Sequence, residues 1–182
     1  MRLGGKWALA AAAAAVFVAG FGAGFAPAAG VTVSGQLKQF HVVTITFDGP
    51  ASGEDATPSP FTDYRLSVTF TQGQRKVAVC GYYAADGSAG ETAAATGDKW
   101  RVHFVPETQG RWSYVASFRS GQGVAIADDA GAGSPAGFDG AAGELIIGPP
   151  DRNATDLRAR GFLRHDANSH YLRFAGTGEY FI

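Results

Sequence analysis

Four stretches downstream of residue 40 alternate apolar and polar residues one for one, and this pattern constrains the architecture more than any other feature. Val43, Ile45 and Phe47 alternate with Thr44 and Thr46, and Leu66, Val68 and Phe70 with Ser67, Thr69 and Thr71. Trp100, Val102 and Phe104 alternate with Arg101 and His103. Trp112, Tyr114, Ala116 and Phe118 alternate with Ser113, Val115 and Ser117. A period of two in β-branched and aromatic residues is the mark of a half-buried strand. After residue 30 no segment of eleven or more residues carries a 3.6-residue apolar stripe. With Cys80 as the one cysteine, no intrachain disulfide can form, so a hydrophobic core must supply the stability. Cys80 closes the apolar run Val77-Ala78-Val79, which predicts a small buried hydrophobe rather than a nucleophile.

Turn residues separate the strands. Asp48-Gly49-Pro50 is expected to stop the first strand. Gln72-Gly73-Gln74 is expected to join Leu66–Thr71 to Lys76–Tyr83 as a hairpin, and Pro106 to Gly110 to join Trp100–Val105 to Trp112–Phe118 as another. Glu144 to Ile147 reads as a closing strand before Gly148-Pro149-Pro150. Short strands with regular turns and no helices predict an all-β, antiparallel β-sandwich. Three long loops rich in small residues, 49–63, 84–99 and 128–143, offer places for binding.

The first 29 residues differ in kind. Arg2 and Lys6 precede an apolar run from Trp7 to Phe25, and Ala26-Pro27-Ala28-Ala29 supplies an A-x-A-like exit. This is the pattern of a cleaved signal peptide, and it predicts a secreted protein, extracellular or periplasmic, with no membrane association after cleavage. A retained N-terminal anchor is the alternative, since the run nears the length of a membrane-spanning helix. Basic and acidic residues balance at 15 and 16, with no clustered basic face. That argues against a nucleic-acid partner.

Residues 150–156, entered through the Pro149-Pro150 pair, read as a linker. Beyond them the text turns basic over Leu157 to Arg164. It predicts a strand at His170–Phe174, then runs through Gly176-Thr177-Gly178 to the apolar Tyr180-Phe181-Ile182. An apolar run at this place is expected to continue into further sequence.

Residues 40–147 resemble a known family through the ordered segments "FHVVTITFDGP", "PFTDYRLSVTF", "GYYAADGSAGETAAATGDKWRVHFVPETQGRWSYVASFR" and "GFDGAAGELIIGP". They resemble the Ig-like module at the N-terminus of secreted bacterial proteins with an apiosidase-like glycoside hydrolase barrel. "RGFLRHDANSHYLRFAGTGEYFI" resembles the segment leading from that module into the barrel. The resemblance implies a signal peptide at 1–29, an Ig-like β-sandwich at 30–149, a linker at 150–156 and the start of a TIM barrel at 157–182. It also implies a C-terminal catalytic barrel in the same polypeptide as partner. Catalytic groups of TIM barrels sit at the C-terminal ends of barrel strands, so no catalytic residue is expected here.

The residues themselves offer several candidate sites. Trp100 and Trp112 are weighed between sugar stacking and core packing, and their phase with Phe104 and Phe118 favours the core. Tyr82 and Tyr83 are neighbours, so a strand would point one inward and one outward. Tyr82, Tyr83 and Trp100 are therefore the ligand-binding candidates, with polysaccharide as the ligand. Asp86, Glu91 and Asp98 flank a glycine-rich loop, where a paired-carboxylate site would need a fixed separation. Solvated loop acids are the reading preferred. Asp128, Asp129 and Asp139 are calcium candidates by residue type, although their spacing fits no defined loop. Asp156, Arg158, Arg160 and Arg164 are candidates for docking a following domain. His41, His103, His165 and His170 show no zinc spacing, and no phosphate-binding or nucleophile-elbow motif occurs. No cofactor is expected. The functional expectation is a non-catalytic accessory module of a secreted glycan-degrading enzyme. The alternatives are an independent carbohydrate- or matrix-binding module, and a small enzyme using Asp86 or Glu91.

Overall fold

The computed structural model describes residues 30–182 except Ala154 and Asn168. The expected signal peptide at 1–29 lies outside the described residues. The described chain is all-β and antiparallel. Its body is two sheets packed face to face. One sheet runs β1 (Val31–Gly35), β2 (Val43–Gly53), β6 (Thr96–Phe104), β5 (Tyr82–Tyr83) in spatial order. The other runs β4 (Arg75–Cys80), β3 (Tyr64–Gln72), β7 (Gly110–Ser120). Two strands pair with successive parts of β7: β8 (Ser134–Pro135) and β9 (Ala142–Ile147).

The period-two pattern sets which face each strand buries. Along β7, Trp112, Tyr114, Ala116 and Phe118 are buried while the residues between them reach solvent. Ile45, Val102, Val68 and Phe70 bury the inner faces of β2, β6 and β3. The aromatics meet across the gap between sheets. Phe70 stacks on Phe104 with ring centroids 3.9 Å apart, and Trp100 meets Phe118 edge-on at 4.7 Å. Such pairs add to the burial term and fix which rings oppose each other.

Several expectations need correction. Asp48-Gly49-Pro50 does not end β2; the strand continues to Gly53 across an irregularity in its register with β6 between Asp48 and Ser52. A Cβ on Gly49 would collide with the Trp100 indole, so glycine lets that ring lie against the backbone. Second, Pro106 to Gly110 is not a hairpin turn but a crossover, because β6 and β7 belong to different sheets. Alternation shows that a strand has an inner face, not which sheet it joins. Third, Cys80 is exposed. On the edge strand β4, Val77 and Val79 turn inward, and parity sends Cys80 outward with Ala78. Fourth, short helical turns do occur: an α-turn at Ala89–Thr92 (α1), and 3₁₀ turns at Val124–Ile126 and Leu157–Arg160.

The hairpin between β3 and β4 is present. Gln72 pairs with Arg75, leaving a two-residue loop whose Gly73 adopts φ +57°. The expected single strand Lys76–Tyr83 is broken at Gly81, where the chain passes from one sheet to the other. A Cβ there would collide with Leu66 and the Arg101 carbonyl.

Residues 157–182 form a third, small antiparallel sheet of β10 (Leu163–His165), β11 (Leu172–Phe174) and β12 (Tyr180–Phe181). The segment before it is tied to the sandwich. Asp151 pairs with Lys38 and lies 2.8 Å from His41 Nε2, and Arg152 Nε lies 3.2 Å from the same ring nitrogen. Among the described residues, no helix is long and apolar enough to cross a membrane.

Candidate functional site

The candidate ligand residues gather beside the middle of β6, where β4 hands the chain to β5. The adjacent tyrosines split as strand geometry requires. Tyr83 is buried, and Tyr82 is 44% exposed. The Tyr83 hydroxyl lies 2.5 Å from the Ser52 carbonyl and 3.1 Å from that of Gly97. Burial raises its pKa, so it stays a neutral hydrogen-bonding phenol. Trp100 is a core residue, 1% exposed, whose indole N–H reaches the Pro50 carbonyl at 3.3 Å. Trp112 is likewise core, and its N–H donates to the Thr108 carbonyl at 3.1 Å. Of the predicted ligand residues, Tyr82 alone presents a ring to solvent.

Two adjoining clefts of about 340 and 210 Å³ open there and share Phe61, Tyr82 and Tyr83 as walls. Phe61 is 56% exposed. Sequence reasoning missed it because it lies in a loop with no alternation around it. The available signal was an aromatic set directly between Pro60 and a polar turn. The turn that carries it is built around Asp63. That carboxylate accepts from the Ser59 amide at 3.0 Å and the Gly123 amide at 2.8 Å. The Gly123 bond, with that from Ser59, holds the Asp63 pKa below its ordinary value.

Tyr82 is fixed too. Its hydroxyl lies 2.8 Å from His103 Nε2, and His103 Nδ1 lies 2.8 Å from Thr44 Oγ1. Arg101 pairs with Tyr82 across the strands, and its Nε donates to Thr46 Oγ1 at 3.0 Å. Its guanidinium lines the larger cleft with Glu54 and Glu91.

Two of the loop acids, Asp86 and Asp98, are held by structural bonds. Asp86 accepts from the Ser88 amide and the Thr92 hydroxyl, both at 2.7 Å, and so braces the α1 turn at both ends. The Thr92 bond, followed by that from Ser88, lowers its pKa, which suits an acceptor and not a proton donor. Asp98 pairs with Lys99 at 2.8 Å, which also reaches Asp48 at 2.8 Å. Glu91 is exposed at the cleft rim.

The calcium candidates are not brought together. Asp139 accepts from the Phe118 amide at 2.7 Å, and Asp129 from the Gly131 amide at 2.8 Å. Asp128 is exposed. Among the described residues, no three His, Cys, Asp or Glu side chains stand close enough to hold a metal ion.

The docking candidates lie beyond the end of β6. Arg164 pairs with Glu107, which also takes Arg75. One partly buried carboxylate therefore ties the small sheet to the sandwich. Arg160 reaches Glu179 at 3.4 Å within the small sheet. Asp156 and Arg158 pair with each other at 2.8 Å, and Arg158 pulls the Asp156 carboxyl down to about 2. Phe40, missed by the sequence reading, packs against this segment. It is buried with φ +62°, and its ring lies against Gly161 and Gly176, where added Cβ atoms would meet it at 3.0 and 2.8 Å.

Residues 36–119 match the family described as "Domain of unknown function (DUF5060)". The matched stretch runs from ahead of β2 to the end of β7 and includes the Tyr82 cleft and Glu107. No curated protein matches the chain. A solved structure titled as a "putative glycoside hydrolase" from Bacteroides vulgatus ATCC 8482 is similar at 23% identity, with a TM-score of 0.48. The similarity covers 79% of this chain and 20% of that one, so this chain spans about a fifth of that protein's length.

Proposed function

We propose that the sandwich is a non-catalytic accessory module of a secreted glycan-degrading enzyme, Ig-like and of the kind that precedes an apiosidase-like glycoside hydrolase barrel. Its ordered resemblance to that module over residues 40–147 supports the reading. So does the export pattern of residues 1–29. The observation that carries the reading is the small sheet. It is clamped to the sandwich through Phe40 and Glu107, yet it carries Tyr171, Leu172, Tyr180 and Phe181 at its surface. Contiguous exposed apolar groups of this kind mark an interaction surface. A catalytic barrel of the same polypeptide is the partner that would cover them, with residues 157–182 as the lead-in to it.

Asp86 and Asp98 are committed to structural bonds, which speaks against catalysis by this chain itself. The reading frame of the native gene tests the proposal. A glycoside hydrolase barrel encoded in frame after codon 182 is the expected result, and a stop codon at 183 would contradict it. Release of reducing sugar by the isolated chain, lost in Glu91→Gln, would establish the small-enzyme reading in its place.

A further inference from the structure

We propose that the cleft between Phe61 and Tyr82 binds a neutral oligosaccharide. Two large aromatic side chains stand exposed at one edge of the molecule, and both are held in place. Phe61 rides on a turn fixed by four bonds of Asp63 to backbone: two accepted by its carboxylate, one donated by its amide to the Ser59 carbonyl at 2.9 Å, and one accepted by its carbonyl from the Gly121 amide at 2.9 Å. Tyr82 is held by His103, which is held by Thr44. An exposed ring that is already immobilised loses little entropy on binding, which is what a contact anchor requires.

The rest of the lining indicates the ligand class. Arg101 offers donors, with its guanidinium lying against Gly87. Glu54 and Glu91 offer acceptors beside it. A sugar ring has an apolar face of C–H bonds that packs on an aromatic ring, and a rim of hydroxyls that both donate and accept. The cleft supplies both kinds of partner. One cation set against two carboxylates gives no excess of positive charge for an anionic sugar. The clefts are open and partly polar, unlike the enclosed apolar pockets that hold apolar ligands.

This inference stands apart from the docking proposal, because the cleft lies beside the middle of β6 and the clamped sheet lies beyond its end. Affinity electrophoresis of the full chain tests it, in gels containing soluble xylan, xyloglucan, galactomannan, mixed-linkage glucan or polygalacturonate. Retardation by at least one neutral polysaccharide is expected. It should weaken about tenfold or more in Phe61→Ala and in Tyr82→Ala, as for an anchor residue. Tyr171→Ala, an exposed aromatic in the small sheet, should leave it unchanged. Both cleft side chains are exposed, and unaltered thermal unfolding of the variants will show that their folds are intact. Three results would overturn the proposal: no retardation by any neutral polysaccharide, retardation by polygalacturonate alone, or retardation that survives both cleft variants.

Discussion

The sandwich and the small sheet that follows it are both antiparallel β-structure, yet they are held by opposite means. In the sandwich every long strand buries a row of side chains, and the core is a run of stacked and edge-on aromatics between two sheets. In the small sheet the one buried strand residue is Phe174. Its position depends on a ring donated by the sandwich, Phe40, and on ion pairs. A two-sheet body buries enough apolar surface to be stable alone, whereas a three-stranded sheet of two- and three-residue strands does not. The small sheet is therefore an appendage of low local stability docked on a cooperative body.

The largest effect expected from breaking this contrast is in the body. Trp112→Ala should cost about 3–5 kcal/mol in urea unfolding, as for a fully buried aromatic. Phe174→Ala should speed amide exchange over residues 163–181 and leave the sandwich midpoint nearly in place. Equal midpoint shifts for the two variants would mean one cooperative unit, and the contrast would fail.

Gly161→Ala attacks the seam. Gly161 has φ +84°, and a Cβ would press on Phe40 and on the Gly176 amide. A local loss above ~1 kcal/mol is expected from the backbone conformation alone, read as lost protection in residues 163–181. Glu107→Gln removes a carboxylate shared by Arg75 and Arg164, whose side chain is 16% exposed. A cost of about 1–2 kcal/mol is expected for charge-assisted hydrogen bonds in a half-buried place. Limited proteolysis near Arg164 would report it.

The smallest effect concerns pH. The Lys38 ammonium, with help from His41, holds the Asp151 carboxyl below its ordinary value of 3.8. A carboxyl whose folded pKa is depressed contributes fully above its unfolded value, and the contribution is lost as pH falls through the folded one. Acidification below about pH 4 should therefore loosen residues 150–156 before the sandwich unfolds. Asp151→Asn should give the same looseness at neutral pH, with exchange in β2, β3, β6 and β7 unchanged.

Much of the body was legible in the sequence because alternation and burial are the same fact seen twice. Trp112, Tyr114, Ala116 and Phe118 are read inward from parity, and they are inward. Tyr82 and Tyr83 separate for the same reason. What parity cannot carry is which strand neighbours which. It therefore gave no sign that Pro106–Gly110 crosses between sheets, or that Gly49-Pro50 is an irregularity inside a strand. The cleft was half legible. Tyr82 stands in a strand and follows its rule, but Phe61 stands in a loop, where side-chain direction comes from Asp63 and its four backbone bonds. Phe40 was hidden because its role depends on two glycines more than a hundred residues away.

Hydrogen exchange of the small sheet tests the central claim most directly, comparing the 182-residue chain with the full product of the native gene. The account predicts strong added protection over residues 163–182 in that product, because the proposed catalytic domain would cover Tyr171, Leu172, Tyr180 and Phe181. Protection of the sandwich strands should stay the same. Identical exchange in the two proteins, or a native product that ends at Ile182, would contradict it.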